Sequence, residues 1–477
     1  MFSRKMKRRT KIVCTLGPAV SSPERMRELM LAGMDLARVN CSHGLAEDRI
    51  ALVKLIRDTA QSLNIHMPIM FDLQGPKIRI GRLDAPIPLE KGQQLFLSSG
   101  DKVGTAHHVY TSYEHFCGDV KSGDNVLIDD GKISLLVDEV VDGTVKTTVE
   151  VGGLLKQRKG INLPNSKISA PCLSEKDLAD LRLAVELSVD FVAVSFVRST
   201  QDMVEVRKQA DLIGDHHLFF IAKLERPEIL KELLSVINAS DGVMVARGDL
   251  GVEIGSHKVP MIQKEIITRA NLGGKFVITA TQMLESMIEL PTPTRAEASD
   301  VANAILDGTD ACMLSAETAA GKYPIEAVEM MARIAKESEG HSVFRYHSPA
   351  LQRGSVHQIT DGISAAACQT ADLMNAKLLV AFTNSGSSAI KLSKRHPHSI
   401  ILGATIHEHI ARRLSVYWGV IPVLIKKPSS VEEMFEEIMQ RILELKLARK
   451  DDIAILTSGF PLWTSGSTNL MRLMTIE

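Results

Sequence analysis

Hydrophobic and polar positions follow two alternating periods along most of the chain. Near the N-terminus, the apolar run in "KIVCTLGPA" predicts a buried strand that ends at a Gly-Pro turn. The next stretch, "SSPERMRELMLAGM", has apolar residues at helical spacing, with Ser22 as the expected N-cap and Pro23 as the first helical residue. "DLARVNCSHG" and "MPIMFDLQGP" predict two further strands, separated by a helix over "LAEDRIALVKLIRDTAQSL". Such alternation is typical of α/β folds with a parallel sheet.

This pattern stops at Lys77 and returns at Ser174. The stretch between them contains short β-rich runs broken by Asp-Gly and Gly-Gly, as in "GDNVLIDDGKISLLVDEVVDGTVKTTVEVGG". Turn dipeptides at this spacing predict a small antiparallel β domain, which we expect to form a β-barrel. After Ser174 five more strands are predicted, in "DFVAVSFVRS", "FFIAKLER", "DGVMVARGD", "KFVITATQM" and "DACMLSAET".

The two halves together contain about eight strand-then-helix units, the number that closes a (β/α)₈ barrel. We therefore expect a TIM barrel formed by residues 1–76 and 170–343, with the β domain of residues 77–169 inserted after the third strand. Periodicity is lost from Phe344 to Gly354, which predicts a linker. Residues 344–477 then alternate again, with strands in "KLLVAFTNSG", "SIILGATIHE", "GVIPVLIKK" and "DDIAILTSG", and predict a C-terminal open α/β domain.

Composition narrows the class of protein. The 477 residues carry a net charge of -1, which argues against nucleic acid or a membrane as a partner. The six cysteines form no C-x-x-C pair, so we expect free thiols and a cytoplasmic location. The basic start, "MFSRKMKRRTK", lacks the apolar segment of a secretory signal and is interpreted as a solvated tail rather than an RNA-binding one. No apolar run has membrane-spanning length.

Polar side chains follow seven consecutive strands, at the barrel edge where chemistry is expected. They are Arg38, Asn40 and Ser42, then Asp72, Ser195, Lys223 and Glu225, Arg247 to Asp249, Thr281, and Ser315 with Glu317. Glu225 and Asp249 are hard oxygen ligands that suit Mg²⁺ or Mn²⁺, and no His/Cys cluster indicates zinc. The turn at Gly248 can present amides to an anion. Arg38, Arg79 and Lys223 add positive charge, so the set favours phosphoryl transfer.

Nine segments carry a resemblance to a known family. They are "KIVCTLGPA", "ARVNCSHG", "DLQGPKIR", "RKGINLP", "AVSFVR", "AKLE", "MVARGDLGVE", "TATQMLESMI" and "PTRAEASDVANAILDGTDACMLSAETAAGKYP". Together they resemble the pyruvate kinase family over essentially the whole chain. The resemblance implies transfer of the phosphoryl group of phosphoenolpyruvate to ADP, giving pyruvate and ATP. It also implies a lid formed by the inserted domain, a regulatory C-terminal domain and a homotetramer.

The resemblance assigns roles residue by residue. Glu225 and Asp249 correspond to the ligands of the essential Mg²⁺. The substrate site corresponds to Arg38, Ser195, Gly248, Asp249 and Thr281. Lys223 and Arg38 match residues that stabilise the transferring phosphoryl group, while Thr281, Ser315 and Glu317 match the route by which enolpyruvate is protonated. The nucleotide side corresponds to Thr15, Pro18, His43, Arg79, Asp129 and Lys159.

The stretch "DLQGPKIR" departs from the family's usual "DTKGPEIR". Family members that need K⁺ hold it with oxygens at positions that here are Asn40, Ser42, Asp72 and Leu73. Leu73 has no hydroxyl, and Lys77 replaces the acidic residue of the motif. An ammonium on a tether supplies the charge that K⁺ otherwise brings. We therefore expect the bacterial, potassium-independent type, with K⁺ not required.

The C-terminal domain contains a candidate phosphate-binding loop in "FTNSGSSAIKLSKRHP". Its small hydroxyl residues and amides precede a predicted helix, and "TSGSTNL" near the C-terminus could complete the site. The candidate residues are Thr383, Asn384, Ser385, Gly386, Ser387, Ser388 and Ser467. The resemblance implies a phosphorylated effector, either a sugar phosphate or AMP, and leaves the choice between them open.

Two other functions fit part of the sequence. A metal-dependent barrel aldolase or lyase that acts on pyruvate enolate would also use a Glu/Asp pair. It would have no need of ADP, so the inserted domain and Lys159 argue against it. A catalytically inactive sensor or RNA-binding protein could use the C-terminal domain and the basic start. The near-neutral charge and the complete set of catalytic positions argue against that alternative.

Overall fold

The computed structural model describes residues 8–164, 166–214, 217–347, 359–460 and 468–476. Strands are numbered along the chain. Those of the first domain are β1 Lys11–Thr15, β2 Leu36–Asn40 and β3 Ile69–Asp72, then β12 Phe191–Val194, β13 Phe219–Leu224, β14 Gly242–Ala246, β15 Phe276–Ala280 and β16 Ala311–Leu314. These eight parallel strands close into a barrel in the order β1-β16-β15-β14-β13-β12-β3-β2. The predicted TIM barrel is confirmed.

Helices pack around the outside of this barrel. They are Pro23–Ala32, Ala46–Ser62, Glu175–Glu186, Thr200–Ile213, Leu233–Ala239, Arg247–Ile254, Val259–Leu272, Arg295–Leu306, Ala316–Ala319, Pro324–Gly340 and Ser342–His347, with 3₁₀ turns at Pro18–Val20, Pro227–Lys231 and Glu285–Ile288. The first helix begins as predicted, because the Ser22 side chain accepts a hydrogen bond from the Arg25 amide, 3.2 Å away, and Pro23 follows it. The loss of periodicity predicted from Phe344 starts too early, since the last of these helices continues through His347. The rest of the predicted linker lies outside the described residues.

The inserted domain follows β3. Its strands are β4 Ile87–Leu89, β5 Gln94–Ser99, β6 His108–Thr111, β7 Asn125–Ile128, β8 Ile133–Val141, β9 Thr144–Val151, β10 Gly153–Leu155 and β11 Ile161–Asn162, with a short helix at Phe116–Asp119. Six of them form one sheet in the order β11-β7-β8-β9-β5-β6. The antiparallel expectation is wrong for β5 and β6, which pair in parallel. Bridges from Arg79 to Gly160 and from Ile80 to Thr111 place one segment against both edges, so the sheet curls toward a barrel.

The C-terminal domain is an open α/β sheet, as predicted. Its strands are β17 Leu378–Phe382, β18 Ile400–Thr405, β19 Val420–Leu424, β20 Ile453–Gly459 and β21 Thr468–Thr475, and its helices are Ile359–Leu373, Ser387–Ser393, Glu408–Leu414 and Val431–Glu444. The order is β19-β18-β17-β20-β21, and β21 is antiparallel to β20. This fifth strand was not predicted, because its pattern alternates buried and exposed residues irregularly. None of the helices in the described ranges is long and apolar enough to cross a membrane.

The C-terminal domain lies against the amino ends of the barrel strands. Arg412 Nε lies 2.7 Å from Oδ1 of Asp190, the residue before β12, and Lys394 pairs with Asp310, the residue before β16. The carboxyl ends of the strands, where catalysis is expected, therefore face away from this domain and toward the inserted domain. The domain boundaries at residues 76/77, 169/170 and 343/344 stay predictions.

Candidate active site

Asp72, the last residue of β3, organises two cations. Its Oδ2 lies 2.6 Å from Arg38 Nη2 and accepts a hydrogen bond from Arg38 Nε at 2.7 Å, while its Oδ1 lies 3.3 Å from Lys223 Nζ. The carboxylate is buried, which raises its pKa, but attraction by Lys223 and then by Arg38 outweighs burial and holds the pKa below its usual value. Asp72 is therefore an anion that fixes two positively charged groups at one edge of the barrel.

Lys223 is surrounded by acceptors. Its Nζ lies 2.9 Å from Glu225 Oε1 and donates to Ser195 Oγ at 2.8 Å. Ser195 in turn donates to the Leu73 carbonyl at 2.7 Å, which ties the end of β12 to the end of β3. Burial lowers the pKa of Lys223, but Asp72 and Glu225 raise it more, so the side chain stays a cation. Lys223 and Glu225 come from β13 and the turn after it, so local sequence alone places them side by side.

The loop "LQGP" brings β3 close to β12. Gly75 has a φ of 68°, and a Cβ at this position would lie 2.9 Å from Ser195 Cβ and 2.9 Å from a ring carbon of Phe196. Only glycine fits there without displacing both neighbours. The Gly75 amide also donates to Asp177 Oδ1 at 3.2 Å. The Gly-Pro turn after Asp72 thus positions Ser195 beside the ion-pair cluster.

Gly248 and Thr281 meet at the ends of β14 and β15. The Gly248 amide donates to Thr281 Oγ1 at 2.7 Å, and that hydroxyl donates to the Ala280 carbonyl at 2.6 Å. Thr281 has a φ of 69° and Gln282 a φ of 55°, backbone conformations that residues other than glycine rarely adopt. The turn is backed by Arg247, whose Nη2 donates to the Thr281 carbonyl at 2.7 Å and whose Nη1 lies 2.7 Å from Asp300. The sequence places Arg247 at a strand end without indicating a role for it.

Glu317 is buried behind Ser315. Its Oε2 accepts from the Ser315 amide at 2.6 Å and its Oε1 from the Leu284 amide at 3.2 Å. Burial raises the pKa of Glu317, although these amides act in the opposite direction. No hydrogen bond joins Glu317 to Thr281 among the described residues. The two nonetheless line one cleft.

This cleft, of about 620 Å³, lies between the barrel and the inserted domain. The barrel contributes Arg247, Gly248, Asp249, Thr281, Gln282, Ser315 and Glu317, and the inserted segment contributes Lys77, Leu127, Asp130 and Gly131. A cleft with polar groups from several strand ends on one side and a separate small domain on the other can enclose a charged substrate.

Comparison with known proteins gives a full-length match. The family model described as "Pyruvate kinase, barrel domain" matches residues 7–328, and "Pyruvate kinase, alpha/beta domain" matches residues 361–474. The chain belongs to the pyruvate kinase family. It is therefore a phosphotransferase, and family members generally use a divalent metal.

Three relatives illustrate the extent of the similarity. The pyruvate kinase of Geobacillus stearothermophilus is 41% identical over 475 residues, covering 99% of this chain and 81% of the relative. That of Corynebacterium glutamicum is 43% identical over 470 residues, covering 98% and 97%. That of Mycobacterium tuberculosis is 43% identical over 471 residues, covering 98% of each. The inserted domain and the C-terminal domain are thus included in the match.

Glu225 and Asp249 suit the divalent metal of the family. Burial raises the pKa of Glu225, Lys223 lowers it, and the nearby negative charge of Asp249 raises it further. Two carboxylates that repel each other at the edge of a polar cleft form a donor set of the kind that Mg²⁺ takes up together with substrate oxygens. In the described ranges no group of three or more His, Cys, Asp and Glu side chains could hold a metal alone.

The residues assigned to the nucleotide fall into two groups. On the inserted domain, Lys159 Nζ lies 2.8 Å from Asp129 Oδ1, and this hydrogen bond lowers the pKa of Asp129. Arg79 is next to them, since Ile80 donates from its amide to the Lys159 carbonyl at 2.8 Å. On the barrel, Thr15 Oγ1 accepts from Arg38 Nη1 at 2.8 Å, Pro18 begins a 3₁₀ turn, and His43 is exposed after β2.

The expected monovalent-cation region consists of Asn40, Ser42, Asp72 and Lys77, of which the first three lie together and Lys77 lies apart. Asn40 and Asp72 are partners in the pairing of β2 with β3, and Asn40 Oδ1 accepts from the Ser42 amide at 3.0 Å. Lys77 makes no ion pair with Asp72 in the described part of the chain. Its stem instead packs against Gly160, where a Cβ would lie 3.4 Å from Lys77 Cε, and the residue lines the cleft with Asp249. The charge next to Asp72 comes from Arg38 and Lys223.

The candidate effector loop follows β17. Gly386 has a φ of 92° and donates from its amide to Thr383 Oγ1 at 2.8 Å, which closes the turn before the helix Ser387–Ser393. Ser388 Oγ lies 2.5 Å from Thr468 Oγ1, so the start of β21 adjoins this loop. Ser385 is exposed, and Asn384 Oδ1 lies 2.7 Å from His407 Nε2. Ser467 lies outside the described residues.

Proposed function

We propose that this chain transfers the phosphoryl group of phosphoenolpyruvate to ADP, giving pyruvate and ATP. The observation that carries the proposal is the ion-pair cluster of Arg38, Asp72, Lys223 and Glu225 beside a cleft shared by barrel and lid. Here "lid" denotes the inserted domain. Phosphoryl transfer depends mainly on positioning and on cations around the moving oxygens, and this cluster supplies both.

The barrel residues bind phosphoenolpyruvate by its two anionic groups. The amides of Gly248 and Asp249 at the start of the helix Arg247–Ile254, with the Thr281 hydroxyl, receive the substrate carboxylate. On binding, the Gly248 amide exchanges its bond to Thr281 Oγ1, and the Thr281 hydroxyl its bond to the Ala280 carbonyl, for bonds to the carboxylate. Arg38 and Lys223 face the phosphoryl group, and Ser195 keeps Lys223 in place. As the bond between the enol oxygen and phosphorus breaks, a β-phosphate oxygen of ADP bonds to phosphorus. Lys223 then stabilises the negative charge left on the enolate oxygen.

Protonation completes the reaction. The enolate accepts a proton at its terminal carbon, which gives the methyl group of pyruvate. Thr281 is the residue of this site that holds the proton-delivering water, with Ser315 and Glu317 behind it. The raised pKa of Glu317 supports this role, because a carboxyl group that is easier to protonate is the better proton source near neutral pH.

Mg²⁺, or Mn²⁺ in its place, would be held by Glu225 and Asp249. When bound, it supplies positive charge that neutralises the carboxylate and phosphoryl oxygens of the substrate. The protein contributes the orientation of these ligands. The Phe196 amide donates to Glu225 Oε2 at 2.8 Å, so one oxygen of the carboxylate is fixed by the backbone.

The lid binds the nucleotide in this proposal. Arg79, Asp129 and Lys159 act from the lid, and Thr15, Pro18 and His43 act from the barrel. Closure of the lid over ADP excludes water and protects the phosphoryl group from hydrolysis.

The reaction does not require K⁺ in this proposal. Two differences from the usual family motif support it: Leu73 is buried and offers no hydroxyl, and Lys77 brings a tethered basic side chain to the cleft near Asp249. The charge acts across the cleft rather than within the cluster of Asn40, Ser42 and Asp72.

Regulation and assembly follow the family. A phosphorylated effector, either a sugar phosphate or AMP, binds the loop formed by Thr383 to Ser388, and the chain assembles as a homotetramer in the cytoplasm. Ser467, which lies outside the described residues, is assigned to this site from the sequence alone. The exposed Ser385 and the hydroxyl pair of Ser388 and Thr468 support a polar site at this loop.

One experiment tests the proposal. Pyruvate formation is measured with phosphoenolpyruvate, ADP and Mg²⁺ in buffer free of K⁺ and NH₄⁺, and again after K⁺ is added. We expect full activity in both buffers and none without ADP. Activity only with K⁺ would support the proposed reaction but would contradict the role given to Lys77. Pyruvate formed without ADP would mean that water accepts the phosphoryl group, and it would overturn the proposed transfer to ADP.

A further inference from the structure

Glu253 lies where the lid meets the barrel. It belongs to the helix Arg247–Ile254, and only 1% of its side chain is exposed. Its Oε1 accepts from Arg226 Nη1 at 2.8 Å and from Asn162 Nδ2 at 3.0 Å. Asn162 is the last residue of β11, the final strand of the lid. A barrel carboxylate four residues after Asp249 is thus bonded directly to the lid.

Arg226 strengthens the same junction. It follows Glu225 directly, and its Nη2 donates to the carbonyls of Leu163 and Ser166, each at 3.3 Å. Both carbonyls belong to the segment by which the chain leaves the lid. The side chain is only 5% exposed. Because Arg226 also pairs with Glu228 at 2.8 Å, its guanidinium group is held by two carboxylates and by two carbonyls of this segment.

The other connection of the lid reaches the same place. A cavity of about 30 Å³ is lined by Lys77, Asn162, Asp249 and Glu253, among others. Lys77 lies in the segment by which the chain enters the lid. Within the described residues, the buried Glu253 Oε2 has no hydrogen-bond partner. The entry and exit segments of the lid therefore meet at one barrel side chain.

We propose that Glu253, Asn162 and Arg226 form a latch that fixes the lid over the cleft, with Glu253 as its positioning residue. This rests on the proposed function, in which lid residues bind ADP. Without the latch the lid samples more orientations, and fewer molecules have the lid placed to bind the nucleotide. The apparent dissociation constant rises by the same factor by which that fraction falls. Phosphoenolpyruvate binds to the barrel side and keeps its affinity.

A charge swap tests the latch. Asn162→Asp places two carboxylates together, and Glu253→Gln removes one of the two carboxylate charges that pair with Arg226, leaving that of Glu228. We expect each single change to raise the half-saturating ADP concentration about tenfold. The half-saturating concentration of phosphoenolpyruvate should stay within about twofold of the wild-type value. The double variant reverses donor and acceptor, since the side-chain amide introduced at position 253 can donate to the carboxylate introduced at position 162. We expect it to regain most of the ADP affinity.

A matched control separates this effect from general destabilisation. Arg8 and Asp35 form another buried pair, at 2.8 Å, at the opposite end of the barrel. Asp35→Asn should lower thermal stability and leave both half-saturating concentrations unchanged. The latch is rejected if the two concentrations rise together in the single variants, if neither rises, or if the double variant shows no recovery. Wild-type turnover that does not depend on ADP would reject the proposed function itself, before any variant is compared.

Discussion

Asp72 is shared by two cations: Lys223 Nζ lies 3.3 Å from one carboxylate oxygen, and Arg38 Nη2 lies 2.6 Å from the other. The arrangement spans three strands, since Arg38 is on β2, Asp72 on β3 and Lys223 on β13. One buried anion thus sets the spacing of the two cations that face the phosphoryl group.

Asp72→Asn should reduce both stability and turnover. Breaking a buried ion pair by removing one partner costs roughly 3–5 kcal/mol, and here Arg38 and Lys223 both lose the charge of Asp72, although Lys223 keeps that of Glu225. Freed of their common partner, Arg38 and Lys223 are displaced, so we expect kcat to fall about 100-fold. Chemical unfolding and steady-state kinetics measure the two effects.

Asp180→Asn is the matched control for that change. Asp180 is also buried between two cations, Arg49 at 2.8 Å and Lys176 at 2.5 Å, but on an outer helix. The Asp180→Asn variant should lose about as much stability as Asp72→Asn and should keep the wild-type kcat. Equal losses of kcat in the two variants would show that Asp72 acts only through the fold.

Lys77→Glu tests the replacement of K⁺. In K⁺-free buffer we expect at least about a tenfold loss of activity, because a cation in the cleft is exchanged for an anion. Adding Leu73→Thr supplies a hydroxyl, and K⁺ should then restore activity in the double variant. Lys91→Glu, at an exposed lid position, controls for charge reversal and should leave activity unchanged. Strong K⁺ activation of the wild type would overturn the hypothesis.

Glu225→Gln tests the metal site. The carboxamide keeps an acceptor for the Phe196 amide but loses the charge that attracts a divalent cation. The Mg²⁺ concentration for half-maximal activity should rise at least about tenfold. Titration of Mg²⁺ after chelation measures it. An unchanged Mg²⁺ requirement would place the metal elsewhere.

The sequence predicted the barrel because its strands repeat one pattern. Each barrel strand is a short apolar run followed by a polar residue, so position in the chain was enough to place Asp72, Lys223 and Thr281 at one edge. The strand β21 was not predicted because its buried and exposed positions do not follow the two-residue period of a strand. The parallel pairing of β5 with β6 depends on contacts between segments that no local turn dictates.

Side-chain contacts between different helices and strands were harder to predict from the sequence than the strands themselves. Lys77 is near Asp72 in sequence, yet the chain turns at Gly75, after the end of β3, and Lys77 therefore lies by the lid, next to Gly160. The burial of Arg226 and Glu253 was not predicted, since nothing in their own segments indicates it. Their pairing depends on the position of the lid, which is set by many residues far apart in the chain.

Stability toward acid should depend on His396. Its ring packs against Trp418, with centroids 4.2 Å apart, and against Phe344, at 5.9 Å. Burial, together with the charges of Lys394 and Arg9, lowers its pKa to about 3. The histidine is therefore neutral in the folded protein at pH values where it is protonated in the unfolded chain, whose ordinary pKa is about 6.5. The unfolded state binds the extra proton, so the free energy of unfolding falls as the pH drops from about 6.5 toward 3.

His396→Phe should remove this dependence, because a phenyl ring keeps the stacking and does not titrate. Its free energy of unfolding should fall less steeply with acid, by up to about 1.4 kcal/mol per pH unit below pH 6.5. Urea unfolding at pH 7 and at pH 5 gives the difference. His107→Phe, at an exposed lid position, should leave the slope unchanged. If both variants keep the wild-type slope, acid acts through other groups and the buried ring of His396 contributes nothing to it.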